Sequence, residues 1–179
     1  MPFDYYARLS PAHKRIYRQS DAIIALGLPR ECELGGIVAE IRVGLATDRR
    51  PLIQRACQRL CDTLTEGYKV PPVRVIVLER RPSDDYGELH GLYEPEEGRR
   101  RARITVWMRT AAKQQVVAFR SFLRTVVHEL LHHLDYELFA LEETFHTDGF
   151  YKRESSLANA LFAQEEAAIG RVTGEGRVG

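Results

Sequence analysis

The chain is poor in cysteine, in tryptophan and in net charge. Its 179 residues include three cysteines and one tryptophan, and 26 basic side chains against 25 acidic ones leave a formal charge of +1. Cys32, Cys57 and Cys61 are too few, and odd in number, for a disulfide framework, so a soluble protein of a reducing compartment, the cytoplasm, is expected. Without an excess of one sign there is no whole-chain field to draw a polyanion, which speaks against a dedicated nucleic-acid binder. No apolar run reaches the roughly 20 residues that would cross a bilayer. The opening Met1-Pro2-Phe3-Asp4-Tyr5-Tyr6 lacks the basic-then-apolar layout of a secretory signal. Internal repeats, low-complexity tracts and long Gly/Ser linkers are missing as well, so a single domain over residues 1–179 is expected.

With 44% hydrophobic residues such a domain can bury a sizeable core. Residues 1–67 read as helical. Ser10 before Pro11 supplies a cap and a proline at the first helical position, and that helix is expected to run past Ile16, Tyr17, Ile23 and Ile24 until Gly27 and Pro29 break it. Another is expected from near Pro51 to Gly67, with Leu52, Ile53, Ala56, Leu60 and Leu64 at helical spacing. Cys57 and Cys61, one turn apart there with no further soft ligands nearby, read as small buried hydrophobes. After Pro71-Pro72 the texture changes. Residues 73–78 form a β-branched run, residues 87–93 a weaker strand, and Ile104, Val106 and Met108 alternate with Thr105, Trp107 and Arg109 in a third. The charged turn from Glu94 to Arg101 makes a hairpin of the last two. Beyond Thr110 the pattern is helical, with an interruption between about Leu141 and Gly149 and a final helix over 150–169. Helices, then strands, then helices argue an α+β fold, a core over 70–169 carrying an N-terminal helical extension.

One segment carries the chemistry. Val126-Val127-His128-Glu129-Leu130-Leu131-His132-His133 contains His-Glu-x-x-His. Residues four apart on an α-helix differ by about 40° around the axis, so His128 and His132 project to one side, one turn apart, where both rings can reach one ion. Glu129 lies about 100° round from His128, placed to take a proton from a water on that ion and hand it to a leaving amine. Leu123, Val126, Val127, Leu130, Leu131, Leu134 and Leu138 gather in an arc of about 140°, and the two histidines fall near its opposite side. His133 points away from this pair, and Asp135, one turn beyond His132, is placed either to orient a ligand imidazole or to face solvent.

A catalytic zinc takes three protein ligands and leaves a position open. Two candidates follow. His146 sits in a turn-like stretch before the last helix, for which Asp148 is a candidate cap. Glu154 falls within the apolar stripe of that helix (Phe150, Leu157, Leu161, Ala168), where a carboxylate needs a cation or a partner.

His-Glu-x-x-His followed by His146 and Phe150 resembles the SprT-like zinc metallopeptidases and their Spartan relatives. The strand with Gly91 and Tyr93, the strand over 104–108 and then the histidine helix are similar too, over roughly residues 70–160. The resemblance implies a zincin-like fold, in which a small mixed β-sheet packs on the histidine helix and a third histidine completes a Zn²⁺ site. It also implies an edge strand, here 87–93, that binds a protein or peptide substrate in extended form. Two departures stand out. The family commonly has His-Gly where this chain has His146-Thr147, and Glu154 is similar to the glutamate of gluzincins and minigluzincins. His146 is the expected third ligand, with Glu154 beside it or in its place. Tyr93, Tyr136 and Tyr151 are candidate oxyanion donors, each with ordinary packing as the competing role.

The leading expectation is a zinc metallopeptidase with His128, His132 and His146 on the metal and Glu129 as general base. An alternative is a non-catalytic binding module whose zinc is structural, if His146 and Glu154 both bind and close the site. A DNA-associated protease is the third reading. Arg99, Arg100, Arg101 and Arg103 suggest it, while Glu94, Glu96 and Glu97 beside them suggest only a solvated hairpin tip.

Overall fold

Ser10 caps the first helix as its place before Pro11 implies, its Oγ accepting the His13 N–H at 3.2 Å. The computed structural model describes residues 3–85 and 87–174. A short 3-10 turn (Asp4–Arg8) leads into α1 (Pro11–Ala22), α2 (Gly35–Ala46) and α3 (Arg50–Tyr68). The strands β1 (Arg74–Arg80), β2 (Ser83–Asp84), β3 (Gly87–Glu88), β4 (Gly91–Glu94) and β5 (Arg103–Arg109) follow, then α4 (Phe119–Glu137) and α5 (Asp148–Gly174). The fold is α+β with a small mixed sheet. Among the described residues no helix is long and apolar enough to cross a membrane.

The sheet runs β1-β5-β4. β1 is parallel to β5, pairing Val75 with Ile104 and Val77 with Val106, whereas β4 is antiparallel to it, pairing Gly91 with Val106 and Tyr93 with Ile104. The strand expected over 87–93 is divided. Gly87 and Glu88 pair with Asp84 and Ser83 in a ladder of their own, and only Gly91–Glu94 joins the sheet. Glu88 is drawn off the sheet line by Arg81, 3.3 Å from its Oε2, and by the Ala111 N–H, 3.1 Å from its Oε1.

Two other expectations change. Helix does not resume at Thr110, because residues 110–117 fold back along β5: Thr110 and Gln115 bond each other and the Val117 N–H donates to Met108 O. Those main-chain bonds override the helix propensity of alanine, lysine and glutamine there. The second correction concerns α1, which ends at Ala22, with Ile23 already extended, instead of running on to Gly27; α2, within the expected helical part, is a helix that periodicity alone does not delimit. Ile37, Val38, Ile41 and Leu45 are buried, and the sequence around them is apolar on almost every side, so no polar stripe marks a helical period.

One contiguous apolar core joins Ile41, Leu60, Leu64, Val77, Ile104, Leu123, Leu130, Leu157 and Leu161. The helices before β1 therefore build the core itself, α2 packing on α5 and α3 on β1. Gln54 and Gln58 of α3 also pair with the outer edge of β1. Gln54 donates to Val75 O at 2.8 Å and accepts from Val77 N at 2.7 Å, and Gln58 donates to Val73 O at 3.0 Å and accepts from Val75 N at 2.8 Å. Each amide thus does what a neighbouring peptide unit does in a ladder.

Cys57 and Cys61 are fully buried among these side chains, and burial pushes the Cys61 thiol up to about 12 and that of Cys57 well above its ordinary value. Cys32 is only half-buried. Iodoacetamide at pH 8 is expected to label Cys32 alone in the native protein and all three after unfolding; native labelling at Cys57 or Cys61, read by mass spectrometry, contradicts this packing.

Candidate metal centre

The apolar arc of α4 faces the core, with Leu123, Val126, Leu130, Leu131 and Leu134 all buried. This fixes the rotation of the helix and turns His128 and His132 into a groove of about 600 Å³. The loop between α4 and α5 brings His146 to them. Nε2 of His146 lies 3.0 Å from Nε2 of His128 and 3.1 Å from Nε2 of His132. Adjacent corners of a tetrahedral zinc site with nitrogens at about 2.0–2.1 Å are about 3.3 Å apart, so this triad can hold a metal ion.

Hydrogen bonds on the far side of the rings set the tautomers. His128 Nδ1 is 2.8 Å from Glu154 Oε2, a carboxylate that only accepts, so Nδ1 carries the proton. His132 Nδ1 is 2.8 Å from Thr144 Oγ1, whose own proton goes to Asp135 Oδ2 at 2.8 Å. That hydroxyl must accept from His132, which again places the ring proton on Nδ1. Nε2 is therefore the nitrogen that each of these two rings can offer, on the side that faces His146. Protonation does not relieve the crowding at His132, because burial first, then His128 and His146, push its pKa down to about 3. Burial lowers that of His146 as well. Three imidazoles converging through their Nε2 atoms suit a metal cation.

Glu154 therefore stands against the nitrogen of His128 that faces away from the other two rings, with Arg124 3.7 Å from its second oxygen. Asp135 is fully buried, reaches His132 through Thr144, and is paired at 2.8 Å with Arg153, itself fully buried. Arg153 also donates to Ser20 O and Ile23 O, each at 2.6 Å, and so caps the last turn of α1. His133 is buried rather than at the surface. Its Nε2 donates to Pro71 O at 2.8 Å, which leaves Nδ1 to accept from the Tyr93 hydroxyl at 3.1 Å.

Glu129 is 7% exposed and lies on the groove wall beside the triad. Burial raises its pKa to about 7, against the opposing pull of His128 and of the Tyr93 N–H. A carboxyl titrating there suits proton transfer near neutrality. The edge strand comes so close that a Cβ on Gly91 would lie 2.4 Å from Glu129 Oε1; only glycine fits there. Of the three candidate oxyanion donors, Tyr93 spends its proton on His133 and Tyr136 donates to Glu143 Oε1 at 2.6 Å. Tyr151 is 41% exposed, with its ring stacked on His146 at 5.9 Å.

The chain matches no protein-family model, no curated protein and no solved structure. The chemistry of the centre is therefore read from its own geometry.

Sequence patterning did not single out Thr144, Thr147 or Arg153. Thr144 lies in an irregular loop with no period to mark it. Thr147, and not Asp148, caps α5, its Oγ1 accepting the Phe150 N–H at 2.9 Å; a threonine directly before an acidic first turn was the available signal. Arg153 and Glu165 are the fully buried charges of α5, and Glu165 is paired with Arg42. At the hairpin tip Arg103 bonds Glu94 at 2.6 Å.

Proposed function

We propose that the protein is a zinc-dependent metallopeptidase of the SprT-like or minigluzincin kind. The convergence of three Nε2 atoms beside a buried carboxyl on an open groove supports this reading most strongly. His128, His132 and His146 would hold the ion, and Zn²⁺ bound there would supply Lewis acidity toward the attacking water and the scissile carbonyl. Glu129 accepts the proton of the attacking water and passes it to the departing amine nitrogen as the peptide C–N bond breaks. Glu154 and Thr144 keep Nδ1 of the two helical histidines protonated and their rings oriented. As the sheet edge beside the groove, β4 holds the substrate backbone extended through main-chain hydrogen bonds. The carboxylate of Glu154, engaged on His128, is not available as a fourth ligand, which favours an open, catalytic centre over a closed, structural one.

The purified protein is expected to bind one zinc per chain and to cleave denatured casein. Chelation should stop cleavage and added Zn²⁺ restore it, and His132→Ala should lose both metal and activity. Cleavage that survives metal removal, or zinc-loaded protein that leaves every denatured substrate intact, overturns the reading.

A further inference from the structure

The third imidazole poses a positioning problem that the other two do not. His128 and His132 are held by the helix that bears them, whereas His146 sits on an irregular stretch. Among the described residues, no backbone–backbone hydrogen bond involves residues 142–146. Glu143 and Thr144 are tied toward α4 through Tyr136, Asp135 and His132. Thr147 is fixed as the cap of α5. Between these anchors the main chain of His146 has a different kind of tie: the phenol of Tyr5 donates to His146 O at 2.7 Å, across 141 positions of sequence.

The surroundings of Tyr5 make this tie a built one. Its ring stacks on Phe3 at 6.2 Å and meets Tyr17 edge-on at 5.9 Å, while the Phe3 N–H donates to the Tyr17 hydroxyl at 3.1 Å. Phe3 also packs edge-on against Tyr151, the ring stacked on His146. On the other side of the loop, Phe145 packs against His13 and Tyr17 of α1. The end of α1 abuts the start of α5: the Gly149 N–H donates to Asp21 Oδ1 at 2.9 Å, and a Cβ there would lie 2.4 Å from Asp21 O. Residues 3–21 thus hold the outside of the loop whose inside presents the imidazole.

We propose that Tyr5 is a positioning residue of the metal centre, its phenol fixing the backbone of His146 so that the N-terminal segment sets the third imidazole. This rests on the metal-binding reading above and extends it to a part of the chain outside the groove. Partners that orient a ligand without touching the ion typically alter metal affinity 10–100-fold. Tyr5→Phe, which keeps the ring and removes only the donor, is expected to raise the zinc Kd about tenfold in competition with a chelator. Tyr6→Phe is the control, since Tyr6 lies on the same turn but accepts from Arg18 at 2.9 Å; it should leave the Kd unchanged. The thermal midpoints of the two metal-free variants should agree. In a His146→Ala background Tyr5→Phe should add no further loss of affinity. A Tyr5→Phe Kd equal to that of wild type, or a loss that persists without His146, overturns the inference while the metal centre stands. Wild-type protein that binds no zinc removes the centre itself, and the inference with it.

Discussion

Glu129→Gln is expected to lower peptide hydrolysis by at least about 10³-fold while zinc content stays at one per chain, because positioned proton transfer contributes about 10²–10⁴-fold and no other carboxylate among the described residues is placed to replace it. Glu154 is engaged by His128, and Glu88 by Arg81 and the Ala111 N–H. The amide keeps the volume of the side chain against Gly91 and still accepts the Tyr93 N–H, yet it cannot take up a proton. It also removes a carboxyl whose ionisation burial already opposes, so the variant should melt no lower than wild type. Zinc analysis, a melting curve and casein cleavage on one preparation separate the outcomes. Hydrolysis within tenfold of wild type removes Glu129 from proton transfer.

Arg153→Met is expected to be the most destabilising single change, costing about 3–5 kcal/mol out of a total that is typically about 5–15 kcal/mol. The guanidinium is fully buried and donates to four acceptors at once: Asp135, the Ser20 side chain and the two carbonyls closing α1. Without it Asp135, whose carboxyl burial already raises, is left buried with its charge unpaired. For a chain of this size the loss should lower the melting midpoint by about 10 °C. Removing both charges in Arg153→Met with Asp135→Leu should recover part of the midpoint, since the greater penalty lies in the unpaired carboxylate. Zinc affinity should stay reduced in the double variant, because Thr144 then lacks the acceptor that holds its hydroxyl toward His132. A single variant that melts within 2 °C of wild type, on the order of 1 kcal/mol, contradicts this account.

What could be read from the sequence follows the range of the interactions. His128 and His132 share one side of α4 because a four-residue step on a helix allows little else, and the leucines between them fix which side meets the core. The strand at 104–108 was legible because its alternation expresses a two-residue period, and β5 is buried through its middle. The contacts that hold the loop in place carry no such period. Tyr5 reaches His146 across 141 positions and Arg153 reaches Ser20 across 133, so each partner looks like an ordinary surface residue until the chain is folded. Helix α2 was hidden for another reason: its outer face carries Gly36, Val43 and Ala46 opposite the buried Ile37, Val38, Ile41 and Leu45, so its period leaves little polar trace. Residues 1–67 looked like an extension and are instead part of the core, because α2 packs on α5 and α3 on β1.

Gln54 and Gln58 give the two margins of the sheet different fates. Side-chain amides already satisfy the β1 margin, so another polypeptide arriving there finds its docking positions taken, and copies of this chain have no template on that side for stacking into fibrils. The opposite margin of this sheet, along β4, where the Tyr93 N–H already meets Glu129, borders the three imidazoles. Two residues of α3, remote from the groove, thereby leave the unfilled margin of the sheet on the side of the centre.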